Sequence, residues 1–162
     1  MPIDNWTMII RVVGALIMGG LVGFEREQEQ KPAGLRTIML VTLGSTLLLI
    51  LAQRGTVFLD LSVDMVSMDP TRILGSLVQG VGFLGAGTIF FHRHTVHGLT
   101  TAAAIWTMAV VGAAIGVGDW GLAIVGTIAA YFILRILGKI THRIEEAHKN
   151  HELQKERKDK SK

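Results

Sequence analysis

Apolar residues run along this chain in five long stretches, 7–24, 35–53, 73–91, 99–118 and 120–138, with a longer connection, 54–72, between the second and third. Each stretch holds 18 to 20 residues, and only Arg11, Arg36 and Arg135 are charged within them. A helix needs about 17–25 predominantly apolar residues to cross a bilayer, so each stretch is long enough to span. The pattern predicts an all-α polytopic membrane protein with five transmembrane helices in residues 1–138, followed by a polar tail, 139–162. A soluble bundle is the alternative. Five consecutive helices without a polar face cannot all be central in 162 residues, which argues against it. The first stretch lacks a basic leader and a small-residue cleavage site, so it reads as a retained span.

Charge sharpens the picture. The net charge is +3, and all of the excess sits in the tail, where eight Lys/Arg face five acids. The connections after the first and third stretches carry Arg26, Lys31, Arg36 and Arg93, whereas those after the second and fourth carry only Arg54 and Arg72. Basic residues favour the cytoplasmic side, which predicts an outer N-terminus and a cytoplasmic C-terminus. The tail's basic excess suits anionic lipid headgroups. It lacks the aromatic platform or fold of a nucleic-acid binder, and nucleic acid is not expected as a partner.

Glycine is the compositional excess, with 16 of the 19 glycines inside the five stretches. In lipid, helices pack largely by close approach at small residues. Gly19-x-x-x-Gly23 and Gly112-x-x-x-Gly116 are the simple form. The third stretch carries Gly75, Gly80, Gly82, Gly85 and Gly87, which fall on two sides of a helix. This predicts that the third helix is packed on both faces at the centre of the bundle. Gly80-Val-Gly-Phe-Leu-Gly85 formally matches a dinucleotide-binding fingerprint, but it lacks the preceding strand that motif requires.

The polar candidates each admit two roles. Glu25, Arg26 and Arg36 lie at the facing ends of the first two helices, joined by a loop with Pro32 and Gly34. They fit a gate or docking surface, or positive-inside anchoring with a structural ion pair. On the opposite side, Asp69 with Arg72 fits a contact to hydrated Mg2+, which takes one or two carboxylates plus waters. Asp69-Pro70 equally fits an N-cap followed by proline at the first helical position. His92, His94 and His97 resemble a metal set, yet no carboxylate or thiolate completes a sphere, and interfacial histidines are the default. Thr100 and Thr101 begin the fourth helix as caps or as bonds across to the third. Arg11 either snorkels outward or pairs with an outer Asp. With no cysteine, thiolate catalysis and Cys-ligated metals are excluded. No nucleophile–base pair, phosphate loop or complete metal cluster is present, so neither an enzyme nor a resident cofactor is expected.

Several strings together carry a resemblance. They are Gly23-Phe-Glu-Arg26, Lys31-Pro-Ala-Gly-Leu-Arg-Thr37, Asp69-Pro-Thr-Arg72, Gly80-Val-Gly-Phe-Leu-Gly-Ala-Gly87 and Gly98-Leu-Thr-Thr-Ala-Ala103 with Trp106. In this order they resemble the membrane domain of the MgtC/SapB family, from about residue 10 to 135. The resemblance implies a multi-pass protein of the bacterial inner membrane tied to growth at low magnesium. In some members it implies survival in phagocytes and contact with ATP synthase. Many members carry a small ACT-like cytoplasmic domain, for which residues 139–162 are too short.

Two functions follow as expectations. The first is an accessory or regulatory factor acting through membrane-protein contacts and self-association into a homo-oligomer. The second is a transporter or channel for Mg2+ or another ion, assembled as an oligomer. No carboxylate lies at a predicted midplane, where cation-coupling sites are usual, and Ser76, Gln79 and Thr88 form only a thin polar path.

Overall fold

The computed structural model describes residues 3–58, 70–92 and 95–138. Five helices, α1 (Asn5–Gln28), α2 (Leu35–Phe58), α3 (Pro70–Ala86), α4 (Leu99–Val117) and α5 (Trp120–Phe132), follow one another, and α5 runs into a π-helical turn, Ile133–Leu137. Between α3 and α4 lies a short hairpin of β1 (Phe90–His92) and β2 (Thr95–His97). Three helices, Asn5–Gln28, Leu35–Arg54 and Leu99–Val117, are long and apolar enough to cross a membrane, while Arg72–Ala86 and Trp120–Ile136 are shorter apolar helices.

Local chemistry sets the helix ends. Asp4 precedes α1 and accepts a hydrogen bond from the Thr7 hydroxyl, which holds its exposed carboxyl below the usual range. At the other end, Lys31 N–H bonds Arg26 O and Gln30 N–H bonds Glu27 O, both at 3.1 Å. That is a Schellman closure with Gln30 in the left-handed region at φ 52°, a place usually taken by glycine. The Glu27 carboxylate then accepts Leu35 N–H at 2.9 Å and caps α2 from the preceding helix. A Cβ on Gly34 would collide with that carboxylate, at 1.8 Å. α5 begins with Asp119, whose side chain accepts Leu122 N–H at 2.9 Å as an N-cap.

Packing centres on α4. It touches α1, α2, α3 and α5, and 11 of its 19 residues are buried. The reason is visible in its residues. Ala104, Ala109, Gly112, Ala113, Ala114 and Gly116 are small on every side, so neighbours approach from all directions. The two simple glycine pairs clamp α2. A Cβ on Gly23 would lie 2.9 Å from Leu35 Cα and one on Gly19 3.1 Å from Met39 Cα. Further along the same face of α2, a Cβ on Gly112 would lie 2.3 Å from Thr42 O, and one on Gly116 2.8 Å from Thr46 O. The outer surface is apolar, with Ile17, Leu21, Leu40, Leu51, Val125 and Ile128 exposed, as expected where lipid is the solvent.

Two expectations about the third helix are corrected. It ends at Ala86, five residues before the end of its apolar stretch, and the chain turns into the hairpin. Gly85 and Gly87 weaken the last helical turn, and Thr88-Ile-Phe-Phe91 is β-branched and aromatic. Hydropathy measures polarity, and it does not distinguish these conformations. Nor is α3 central. It leans on α4 through Leu77 and Val81, facing Trp106 and Ala109, and a Cβ on Gly75, Gly80 or Gly82 would meet no atom within 4 Å. Gly85 lies against Ala102 of α4, and a Cβ on Gly87, just past the helix, would meet only the carbonyls of Leu84 and Phe83.

Candidate functional site

α1 and α4 run antiparallel, so the end of one meets the start of the other, and charged side chains lie at both junctions, buried at the first and partly buried at the second. At the first junction, Glu25 and Arg26 are 2% and 3% exposed. Both project from the last turns of α1, held inward because Val22 and Gly23 pack the same stretch of helix into the core. Arg26 Nη2 donates to Thr101 Oγ1 at 3.1 Å, joining residues 75 apart in sequence. Arg26 Nε and Glu25 Oε2 are buried without a hydrogen-bond partner. Burying charge at this depth is costly unless every group is paired, so an open acceptor beside an open donor marks a site. Arg135, on the π-helical turn, stacks over Tyr131 with Cζ 5.8 Å from the ring centroid.

At the opposite junction, Arg11 crosses from α1 to the end of α4. Its Nη1 donates to Gly116 O at 2.6 Å and to Gln53 Oε1 at 3.1 Å, while Gln53 Nε2 donates to the same carbonyl at 2.9 Å. A guanidinium there complements the negative end of the α4 dipole. α4 closes at Gly118, in the left-handed region at φ 92°, where a Cβ would also strike Arg11 Nη2 at 2.6 Å. Arg54 donates to Asn5 Oδ1 at 2.9 Å.

Between the two junctions a line of hydroxyls runs along α2, on the face it packs against α1 and α4. Thr42, Ser45 and Thr46 are buried and donate to the carbonyls of Ile38, Val41 and Thr42 at 2.9 Å. Thr46 shares its proton with Gly112 O at 2.8 Å. Sequence reading sought the polar path on α3 and missed this one. The signal was the helical spacing of Thr42, Ser45/Thr46 and Gln53 on one face of an otherwise apolar stretch.

The remaining candidates fall in different places. Arg36 is exposed on the first turn of α2, apart from the buried Glu25 and Arg26. Thr100 is exposed, whereas its neighbour Thr101 completes the Arg26 contact. Arg72 is exposed at the start of α3. Asp69, the Mg2+ candidate, lies outside the described residues, as do Asp60, Asp64, Arg93, His94 and the tail. Among the described residues no three His, Asp or Glu side chains converge in a way that would hold a metal.

The fold and its charged junctions define a helical protein with three helices able to cross a membrane and buried polar contacts at both ends. The family model described as the MgtC family matches residues 12–143, and the chain belongs to that family. It is 43% identical over 147 residues to the Escherichia coli (strain K12) protein named "Putative magnesium transporter YhiD", covering 90% of this chain and 66% of that one. It is 37% identical over 136 residues to Protein MgtC of Brucella abortus (strain 2308), covering 83% of this chain and 52% of that one. With Protein MgtC of Salmonella typhimurium (strain 14028s / SGSC 2262) the identity is 35%, over 85% of this chain and 55% of the relative. The chain thus spans between about half and two thirds of the length of these relatives. No solved structure matches it.

Proposed function

We propose that this protein is an accessory or regulatory factor of the bacterial inner membrane, acting in adaptation to low magnesium through contacts with other membrane proteins. All five apolar helices cross the bilayer, with the N-terminus outside and the C-terminus in the cytoplasm, and the chain works as a homo-oligomer without catalysing a reaction. One observation carries the reading. Along one face, α2 meets Gly19/Gly23 of α1 and Gly112/Gly116 of α4 at close packing distance, so its buried hydroxyls Thr42, Ser45 and Thr46 are packed against protein. Ions need a path with room for at least partial hydration, and among the described residues this tightly packed seam offers none. By contrast, α3 turns Gly75, Gly80, Gly82 and the 81% exposed Phe83 outward, a surface suited to another helix. The family resemblance makes ATP synthase one such partner.

A second reading is transport of Mg2+ or another ion. The name of the YhiD relative favours it, and so does the partnerless buried oxygen of Glu25. Purified protein in liposomes loaded with a magnesium-sensitive dye separates the two. No flux from well-inserted protein, with a membrane partner recovered by crosslinking from α3, supports the accessory role. Saturable flux that is lost in Glu25→Gln or Asp69→Asn overturns it.

A further inference from the structure

We propose that His92 and His97, brought together on one face of the β1–β2 hairpin, form a two-imidazole site for a borderline divalent transition-metal ion. The strands pair antiparallel with Phe90 opposite His97, Phe91 opposite Val96 and His92 opposite Thr95. Side chains alternate faces along a strand, so Phe90, His92, Thr95 and His97 share one face, while Phe91 and Val96 share the other. His92 and His97 are diagonal neighbours there, and their ring centroids lie 6.4 Å apart, edge to face. With metal–nitrogen bonds of about 2.0–2.1 Å, two tetrahedral imidazole ligands place their centroids about 5 Å apart. Both histidines are exposed, so rotation about their side-chain torsions closes the remaining gap without moving the backbone.

The frame around them is already fixed. Phe90 stacks on His97 at 5.5 Å with 20° between the planes, supporting that ring from one side. At the hairpin base, Gly98 sits at φ 89°, so close to Thr88 that a Cβ would lie 1.9 Å from its carbonyl oxygen. Thr88 in turn bonds Gly85 O at 2.8 Å, tying the base to the end of α3. Two neutral nitrogen donors with open positions suit Cu2+, Ni2+ or Zn2+, whereas Mg2+ takes oxygen ligands and keeps its water. The site therefore selects against the cation with which the family's names are associated. It leaves coordination positions for water or for a partner's side chain, as in an exchangeable site rather than a closed structural one.

The test uses the untagged full chain in lipid nanodiscs, with His142, His148 and His151 changed to Gln to silence the tail. Titration with Cu2+, Ni2+ and Zn2+ by calorimetry should give one ion per chain, tightest for Cu2+. His92→Gln and His97→Gln should each weaken binding by about tenfold or more, because each leaves a single imidazole. Copper electron paramagnetic resonance should show two imidazole nitrogens in the parent and one in each variant. Excess Mg2+ should not displace the ion. Binding that survives in the His92→Gln/His97→Gln protein overturns the proposal, as does the absence of saturable binding in protein whose helical circular dichroism matches the parent. Neither result bears on the accessory or transport readings, which concern other surfaces.

Discussion

Arg26 of α1 and Thr101 of α4 meet in the buried end of the helix bundle, with the guanidinium donating to the hydroxyl at 3.1 Å. Thr101→Val keeps the shape and removes the acceptor, leaving a buried cation short of a partner. Losing a hydrogen bond to a charged group costs about 1.5–3 kcal/mol, so the thermal midpoint in detergent should fall measurably. Thr101→Ser should restore most of it. Equal midpoints for Val and Ser would show that the contact is incidental.

The clamp on α2 predicts opposite outcomes for glycines that look alike in sequence. Gly112→Ala drives a methyl group into Thr42 O at 2.3 Å, and such overpacking costs about 1–3 kcal/mol. Gly82→Ala meets nothing within 4 Å and should be neutral or stabilising by up to about 1 kcal/mol through helix propensity. Thermal denaturation of the two variants side by side checks the order, and a reversed order would sink the assignment of α4 as the centre.

Gln30 closes α1 in a left-handed conformation, φ 52°, where a side chain costs about 1–2 kcal/mol relative to glycine. Gln30→Gly should therefore raise the thermal midpoint even though it adds no contact. Gly118→Ala should do the reverse and more, because it adds both backbone strain at φ 92° and a collision with Arg11.

Asp4 gives an acid-side signature. Its carboxyl is held below the ordinary aspartate range because the Thr7 hydroxyl bonds it. A group depressed in the folded state contributes stability above its unfolded value and loses it as pH falls through the folded one. Amide exchange in the first turn of α1 should accelerate below about pH 4, and Asp4→Asn should remove that acceleration.

Much of this arrangement was legible in the residues, though not all by the same signal. The apolar stretches located every helix, but α1 runs four residues past its stretch, because Glu-Arg-Glu-Gln is polar and still a good helix former. Glu25 and Arg26 stood out as charges at a helix end. Their partner Thr101 did not, since a contact across 75 positions leaves no local trace. The central helix was misread for a physical reason. Glycine density on α3 drew attention, yet what lets a helix be surrounded is small residues on all its sides. That describes the alanine-rich α4.

The clamp has a mechanical consequence. α2 meets α1 and α4 at close packing distance, so sliding any of the three past another would break that fit. α3 leans on that group along one flank and is joined to α4 through the hairpin. Displacing α3 would leave the seam of α1, α2 and α4 intact. The hairpin is continuous with both α3 and α4, so a load placed on it by a bound ion or a neighbouring protein would reach the edge helix and the central helix together.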